Sequence, residues 1–302
     1  MNARDLPTTI PEYLAHLRRE LAGADPALIQ DALYDAEEYL RSELAENPGK
    51  SEAEVIAAVA SSYGAPGEVA DIYRDTEVKV QTALRPPRPV ERKSVLGRFF
   101  GVAADPRAYT ALFYMVLALA TGIFYFLWVV AGISMSIGFA VLIIGIPFII
   151  LFFGSVRILS LVEGRLVEVM LGERMPRRPL YSVRGRSIWQ RIGDMFTDPR
   201  SWSTLLYMLL MLQLGVVYFS IAAVLVLLGV IFAAAPLALL PGVEMSVWLW
   251  GIDLAADAPW LLPLVSIAGI LLLFLTLHLA RGIGTLHGQL AKHLLVKSSA
   301  GA

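Results

Sequence analysis

The side chains that could support chemistry in this 302-residue chain are few, and most lie in or beside long apolar segments. Gln213 and His278 are the strongly polar residues inside these segments, where such groups can form proton relays or ion pathways. Simpler roles are also open, because Gln213 can hydrogen-bond between helices and His278 lies near the end of its segment. No Asp, Glu, Lys or Arg occurs inside the segments, so a coupled ion transporter is disfavoured.

A second group of candidate residues lies in the stretch 241–259, between two apolar segments. It combines tryptophans with carboxylates, which could bind a ligand or a divalent cation, although the carboxylates have no recognised metal spacing. The same stretch fits a short ribbon at the membrane surface, where tryptophan is common, and we favour this interpretation. The alternative sensing loop comprises Glu244, Trp248, Trp250, Asp253 and Asp257.

The sequence contains no recognisable catalytic constellation. It has no cysteine, which excludes disulfides and thiolate metal or redox chemistry. It also has no P-loop, nucleophile elbow, zinc motif or Rossmann fingerprint. We therefore predict a non-enzymatic protein with no catalytic residue, no metal site and no cofactor.

The composition is typical of a membrane protein. Hydrophobic residues make up 57% of the chain and charged residues 17%, whereas a soluble domain is about half apolar and about a quarter charged. The charges are unevenly placed, since residues 1–86 carry 8 Lys or Arg and 16 Asp or Glu, a net charge of 8 − 16 = −8. Residues 87–302 carry 17 and 10, so a basic membrane part follows an acidic head.

The apolar segments form an internal repeat of a membrane hairpin. Asp105-Pro106-Arg107 opens the first copy, and Asp198-Pro199-Arg200 opens the second copy 93 residues later. The exits repeat at a larger offset, because Arg157 and Arg281 are 124 residues apart, so the second copy carries 124 − 93 = 31 more residues. The offset of 93 also relates Tyr114 to Tyr207, Gly122 to Gly215 and Tyr125 to Tyr218.

Four membrane-spanning helices are predicted from the lengths of the uncharged stretches. Hairpin 1 takes residues 105–175 and hairpin 2 takes residues 198–296, with a basic loop at 176–197 between them. Ile146-Pro147 should kink the second span. The predicted spans are about 108–131, 135–156, 203–235 and 260–280, which leaves a turn at 131–134.

Most of the repeated residues have a structural explanation. Asp followed by Pro suits the N-cap and first turn of a span, and arginine at a span end can reach the headgroup layer. Tyr114, Gly122 and Tyr125 lie on one stripe of a helix that turns by about 100° per residue. This stripe and its second copy favour packing between the hairpins over ligand binding.

The charges of the loops predict the orientation. Nine Arg and five Asp or Glu lie between residues 157 and 200, whereas the 241–259 loop has three acids and no base. By the positive-inside rule, both termini and the middle loop are cytoplasmic in a multi-pass protein of the cell membrane.

Residues 1–76 predict a small cytoplasmic domain of four amphipathic helices. Asp25-Pro26 starts one helix, and Ser51 with Glu54 forms a capping box at the start of the next. A linker rich in Pro and Arg, residues 77–104, separates this domain from the first span.

The motifs of this domain resemble those of a known domain family. They are Tyr13-Leu14-x-x-Leu17, Tyr39 in an acidic helix, Gly49-Lys50-Ser51-Glu52-x-Glu54-Val55 and Tyr63-Gly64-Ala65-Pro66-x-Glu68-Val69-Ala70. Over residues 10–75 the chain resembles the HAAS signalling domain of prokaryotic membrane proteins, with Tyr63-Gly64 where Leu-Gly is usual. The resemblance implies association with a PadR-like transcription regulator. An acidic surface with Asp31, Asp35 and Glu38 could be a solvated face or a docking face for such a basic partner.

The hairpins carry a second resemblance. Their Asp-Pro-Arg-x-Tyr/Trp starts, Tyr-x(7)-Gly-x-x-Tyr-Phe patterns and Arg-x(6)-Gly-x-Leu exits occur twice. Over about 98–296 they resemble the prokaryotic "putative sensor" four-helix membrane domain, which commonly precedes the catalytic part of a histidine kinase. Only 21 residues follow Arg281, so we expect no kinase, and we expect His287 to be an exposed or interfacial helix residue.

The sequence thus predicts an all-α fold, with a helical bundle before four membrane helices, and the last outside loop leaves room for a short β-ribbon. We predict a membrane sensor that relays an envelope or membrane signal to a cytoplasmic partner, without binding nucleic acid directly. The alternative is an accessory or permease-like component that handles an apolar or lipid-like molecule. It requires a cavity lined by Tyr114, Tyr125, Tyr207, Tyr218 and Gln213. The sequence is also compatible with a homo-oligomer.

Overall fold

The computed structural model describes residues 7–84, 94–139, 145–177, 193, 197–240, 243, 246, 248–249 and 251–296. The chain divides into two compact units. The first comprises Met1–Pro87, Ser134–Leu205 and Gln289–Ala302, and the second comprises Arg88–Ile133 and Leu206–Gly288.

The N-terminal part of the first unit is a bundle of four helices. Asp25 caps the second helix by accepting a hydrogen bond from Ala27 N, and Ser51 with Glu54 closes a capping box at the third. Leu17 and Leu40 are fully buried between the helices, and each such side chain contributes roughly 1.5–3 kcal/mol. The helices are α1 (Ile10–Glu20), α2 (Pro26–Glu46), α3 (Glu52–Ser62) and α4 (Pro66–Leu84).

Gly64 shapes the turn between α3 and α4. Its φ of 119° lies in a region that residues with a Cβ rarely adopt. The turn brings the carbonyl of Gly64 to the hydroxyl of the buried Tyr13, which donates to it at 2.8 Å. Two of the motif residues therefore hold the first helix of the bundle against the turn before the last.

The helical part of the bundle extends further than the sequence predicts. Helix α4 continues to Leu84, well into the segment 77–104 that the sequence assigns to a linker. A short helix α5 (Val95–Phe100) follows in the same segment, and the Pro-rich residues 85–93 lie outside the described residues.

Four long helices follow, each long and apolar enough to cross a membrane. Only 11–28% of the most apolar part of each helix is buried, so most of its side chains are left for contact with lipid. This confirms the predicted all-α class with four membrane helices. The helices are α6 (Pro106–Phe139), α7 (Gly145–Leu171), α8 (Pro199–Ala233) and α10 (Leu262–Leu295).

Two details of the first hairpin differ from the prediction. Residues 131–134 do not form a turn, because α6 continues through them to Phe139. These residues include neither proline nor charge, and a single Gly132 does not stop an apolar helix. Pro147 lies in the first turn of α7, where a backbone donor is not needed, so the predicted kink within the second span is wrong.

Both exit helices continue past their repeated arginines. Helix α7 runs 171 − 157 = 14 residues beyond Arg157, and α10 runs 295 − 281 = 14 residues beyond Arg281. Each extension is about 21 Å long. The membrane helices therefore end well beyond the last residue of their uncharged stretches.

The α8–α10 connection contains a minimal antiparallel ribbon. Strand β1 (Trp248–Leu249) pairs with β2 (Ile252–Asp253), with Trp248 opposite Asp253. The turn between them includes Gly251, whose φ of 83° is readily adopted only by glycine. A single helical turn, α9 (Leu254–Asp257), follows at once.

Candidate functional site

An arginine clamp joins the N-terminal bundle to the end of α7 within the first unit. We define the clamp as Arg174, just beyond α7, with the carboxylates of Asp31, Glu77 and Glu168. The guanidinium of Arg174 donates to Asp31 at 3.0 Å, to both Glu77 oxygens at 3.2 Å and to Glu168 at 3.3 Å. The side chain of Arg174 is only 12% exposed, and those of the carboxylates are 7–9% exposed.

Two further arginines balance the charge of the clamp. The backbone N–H of Arg177 donates to Asp31 at 2.7 Å, and its guanidinium lies 3.3 Å from Glu168. Arg165 also forms an ion pair with Glu168. Three arginines therefore face three carboxylates, so each buried carboxylate has a cationic partner.

The guanidinium of Arg174 stays charged across the physiological pH range. Burial alone would lower the pKa of Arg174, but the adjacent Glu77, Asp31 and Glu168 outweigh burial and raise it. The net stabilisation from a buried ion pair is small, because desolvation offsets most of the attraction. Removing one partner is different, since it leaves uncompensated charges in a buried place, at a cost of about 3–5 kcal/mol.

The beginning of α2 also contacts two other membrane helices in this unit. Asp25 accepts a hydrogen bond from Lys292, in the last turn of α10, at 2.5 Å. Gln30 accepts one from Arg200, in the first turn of α8, at 2.8 Å. All six residues from 27 to 32 are buried, whereas a helix packed on one side only would leave some exposed. One end of α2 thus contacts segments belonging to α7, α8 and α10.

The three acids of the predicted partner-docking face have different surroundings in the structure. Asp31 is 5% exposed and is held by Arg174 in the clamp. Asp35 accepts a hydrogen bond from the Tyr73 hydroxyl at 2.9 Å. Of these three acids, only Glu38 is exposed.

A tyrosine–histidine cluster lies in the second unit, and we define it as Tyr114, Tyr207, Tyr218 and His287. The hydroxyl oxygens of Tyr114 and Tyr207 lie 2.7 Å and 3.0 Å from Nε2 of His287. The Tyr218 hydroxyl lies 3.3 Å from Nδ1. His287 is 1% exposed, so sequence reasoning that placed it at the surface is wrong. Its imidazole is buried because the tyrosine hydroxyls satisfy both ring nitrogens.

The repeated glycines bring α6 and α8 together beside this cluster. A Cβ on Gly122 would lie 2.3 Å from the carbonyl oxygen of Met211, and one on Gly215 would lie 2.3 Å from that of Ala118. The contact is reciprocal, because Ala118 and Met211 are themselves related by the offset of 93. Tyr125, the remaining member of the predicted stripe, is 3% exposed. Backbone contact at this distance requires glycine.

The offset of 124 residues between the two helix exits indicates that His287 is a buried position, which the search for motifs missed. Subtracting 124 from 287 gives 163, so Glu163 of hairpin 1 corresponds to His287 of hairpin 2. Glu163 is 0% exposed and His287 is 1% exposed. Buried titratable residues at equivalent positions of two repeats are unusual, because ionisable groups are costly in apolar helices. Glu163 and His287 each directly precede a glycine of the repeated exit motif, Gly164 and Gly288. Aligning the two exits could therefore have revealed this pair.

The Asp-Pro-Arg motifs act as helix starts in both copies. Asp105 accepts a hydrogen bond from Arg107 N at 3.0 Å, and Asp198 accepts one from Arg200 N at 3.1 Å. Asp105 also lies 3.2 Å from the guanidinium of Arg281. Pro106 and Pro199 are the first residues of α6 and α8, and Arg107 is exposed.

Three of the five residues of the proposed sensing loop lie in the described part of the chain. Trp248 is 65% exposed, Asp253 caps α9 through Ala255 N at 3.0 Å, and Asp257 is exposed. Glu244 and Trp250 lie outside the described residues. No group of three His, Asp or Glu that could hold a metal occurs in the described part of the chain.

The remaining polar residues of the spans have ordinary surroundings. Nε2 of His278 lies 3.0 Å from the carbonyl oxygen of Phe99, and the two rings stack. Gln213 is exposed on α8, whereas Tyr114 and Tyr207 are buried against His287, so the permease-like alternative stays a prediction.

A membrane sensor or signalling protein is the class that this architecture and its domains define. Residues 114–295 match the family described as "Putative sensor", and residues 12–71 match the HAAS family. The first match covers more than half of the chain, which therefore belongs to that sensor family. Both predicted resemblances are confirmed. No curated protein and no solved structure matched the chain.

Proposed function

We propose that this protein is a non-enzymatic sensor that relays a condition of the membrane or envelope to a cytoplasmic protein. The contact between the start of α2 and the three membrane-helix segments supports this proposal. Asp31 pairs with Arg174 after α7, Gln30 with Arg200 on α8, and Asp25 with Lys292 on α10.

These contacts suggest how a signal could travel. A hydrogen bond weakens steeply beyond about 3.5 Å, so a small shift of one helix end relative to the others must break part of the contact. The freed carboxylates would then become hydrated, which returns much of the desolvation cost of the clamp. The bundle therefore has a docked state and a released state that differ by a modest free energy, as a switch requires.

Release would also change the surface that the bundle offers to a partner. Asp31 and Glu77 would join the exposed Glu38, giving an acidic surface that is covered in the docked state. A basic protein would recognise such a surface electrostatically. The HAAS resemblance favours a PadR-like transcription regulator, and the acidic N-terminal part agrees with a basic partner.

Distance measurements on the full-length protein test the relay. The chain has no cysteine, so Glu38→Cys and Val169→Cys would place two spin labels on exposed sites of the bundle and of α7 without background labelling. Electron paramagnetic resonance should give a narrow distance distribution in the docked protein. Arg174→Met should broaden that distribution, because the clamp is lost. Asp71→Asn, which removes one charge of an exposed ion pair with Arg74 on α4, is the matched control.

A binding experiment separates release from partner recognition. A purified PadR-like regulator should bind vesicles that contain the Arg174→Met protein more tightly than wild-type vesicles. Asp31→Asn also breaks the clamp, but it removes one of the charges offered to the partner, so it should not increase binding as much. An unchanged distance distribution in Arg174→Met, or equal binding by both variants, would argue against this relay.

A further inference from the structure

A cleft with two arginines lies in the first unit, beside the repeated residues of α7 and α8. It is lined by Arg157 and Ser160 on α7 and by Arg200, Ser201 and Thr204 on α8, with Asp198 at the edge of that helix. The space open to water-sized molecules is about 30 Å³, room for about two groups of that size, so an oxyanion would place only some of its oxygens inside it. Apolar side chains, including Phe153, complete the lining.

The charge of the cleft suits a small anion. Two guanidiniums and one carboxylate give a net charge of +1 among these lining side chains. One oxygen of that carboxylate already accepts the N–H of Arg200 as the helix cap. Arg200 donates one further hydrogen bond to Gln30, but a guanidinium has five N–H groups, so several remain for a ligand. Arginine forks and hydroxyls together match the oxygens of a phosphate group.

The arginines at the equivalent positions of the repeat, Arg281 and Arg107, have different surroundings. Arg281, which corresponds to Arg157, lies 3.2 Å from Asp105 and is 52% exposed. Arg107, which corresponds to Arg200, is exposed. Among the residues that the structure describes, no carboxylate forms an ion pair with Arg157. Arg281 thus has a carboxylate partner, whereas Arg157 lines the cleft together with Arg200.

We propose that this cleft binds a phosphate group, supplied by an anionic lipid or by a soluble phosphate. Arg157 ends the uncharged stretch of α7, the position at which basic residues meet lipid headgroups. The apolar side chains near the arginines fit the acyl chains that a lipid carries beside its phosphate. This binding stands independently of the relay, because no step of it requires the bundle to be released.

Thermal unfolding of the full-length protein in neutral detergent tests the site. Phosphatidylglycerol should raise the unfolding midpoint of the wild-type protein in a saturable way, because a ligand that binds only the folded state stabilises it. Arg157→Gln should weaken the apparent affinity roughly five- to tenfold, as expected for one arginine beside an anionic lipid. Arg157→Lys, which keeps the charge, should weaken it less. Inorganic phosphate is the second probe.

The matched control is Arg107→Gln, which removes an arginine from the equivalent motif without touching the cleft, and it should leave the lipid response unchanged. A shift with inorganic phosphate that depends on Arg157, without one from the lipid, would assign a soluble phosphate as the ligand. Circular dichroism and gel filtration identify variants that fail to fold, and Arg157→Lys then provides the comparison. The proposal is overturned if neither probe gives a response that differs between Arg157→Gln and Arg107→Gln.

Discussion

The arginine clamp and the tyrosine–histidine cluster both bury polar groups, but they do so with opposite chemistry. The clamp buries full charges, with Arg174 between Asp31, Glu77 and Glu168. The cluster buries hydroxyls and an imidazole, with three tyrosines around His287. The clamp joins the bundle to residues beyond α7, whereas the cluster lies among the apolar helices of the second unit.

This difference indicates that the two sites have different tasks. Charges are stable in water, so the groups of the clamp have a favourable alternative when the contact opens. Polar groups within apolar helices have no such alternative, since lipid offers no hydrogen bonds. A clamp of charges therefore suits a contact that opens and closes, and the cluster suits a contact that stays closed.

The largest expected effect is the loss of the central cation of the clamp. Arg174→Met would leave three carboxylates without their shared partner in a buried place, at an expected cost of about 3–5 kcal/mol to the docked state. Denaturant unfolding followed by circular dichroism would measure it, with Asp71→Asn as the surface control. The contrast between the sites would fail if Arg174→Met cost no more than that control, for which about 0.3–0.5 kcal/mol is expected.

The next largest effect concerns the close approach of α6 and α8 in the second unit. Gly122→Ala and Gly215→Ala should each destabilise the protein by about 1–3 kcal/mol, because the added Cβ would lie 2.3 Å from a backbone oxygen. Gly282→Ala on α10 is the matched control, since nothing lies within 4 Å of its Cβ position. It should be neutral or slightly stabilising, because alanine favours a helix. Equal effects at Gly122 and Gly282 would refute this packing.

Sequence reasoning predicted the elements of this fold better than its contacts. Helix caps such as Asp25 and the Ser51–Glu54 box depend on residues close in sequence, so their motifs identify them. The turn at 131–134 was misplaced, because an apolar helix without proline or charge carries no local signal for its end. The same lack of signal applies to α4, which continues to Leu84.

The candidate sites depended on contacts between distant residues, which motifs do not encode. Asp31 and Arg174 are far apart in sequence, and Asp31 is an ordinary acid of an acidic helix until the fold brings them together. His287 is predicted as an exposed or interfacial residue because the residues beside it in the sequence carry no recognised motif. Glu163 is the equivalent residue of hairpin 1, 124 positions earlier. A titratable residue at the same position of both hairpins indicates a buried polar position in each.

A smaller effect is expected within the tyrosine–histidine cluster. Tyr114→Phe removes the closest hydroxyl from Nε2 of His287 and should cost about 0.5–2 kcal/mol, the range for hydrogen bonds between membrane helices. Tyr218→Phe should cost less, because its hydroxyl is 3.3 Å from Nδ1 and the residue is only half-buried. Titration with a denaturing detergent would rank the two variants. The reverse order would show that Nδ1, and not Nε2, carries the important contact.

The smallest effect is expected at an ion pair that belongs to neither site. Arg281 lies 3.2 Å from Asp105, as close as the pairs of the clamp, but its side chain is 52% exposed. The carboxylate of Asp105 is only 9% exposed, but it keeps its capping bond to Arg107 N, and water reaches the guanidinium of Arg281. Arg281→Gln should therefore cost about 1 kcal/mol, the upper end of the range for exposed pairs. Asp105→Ala should cost more, since it removes the helix cap as well. If Arg281→Gln were as costly as Arg174→Met in the same unfolding assay, distance and not burial would decide the strength of these pairs, and the distinction between buried and exposed arginines would be lost.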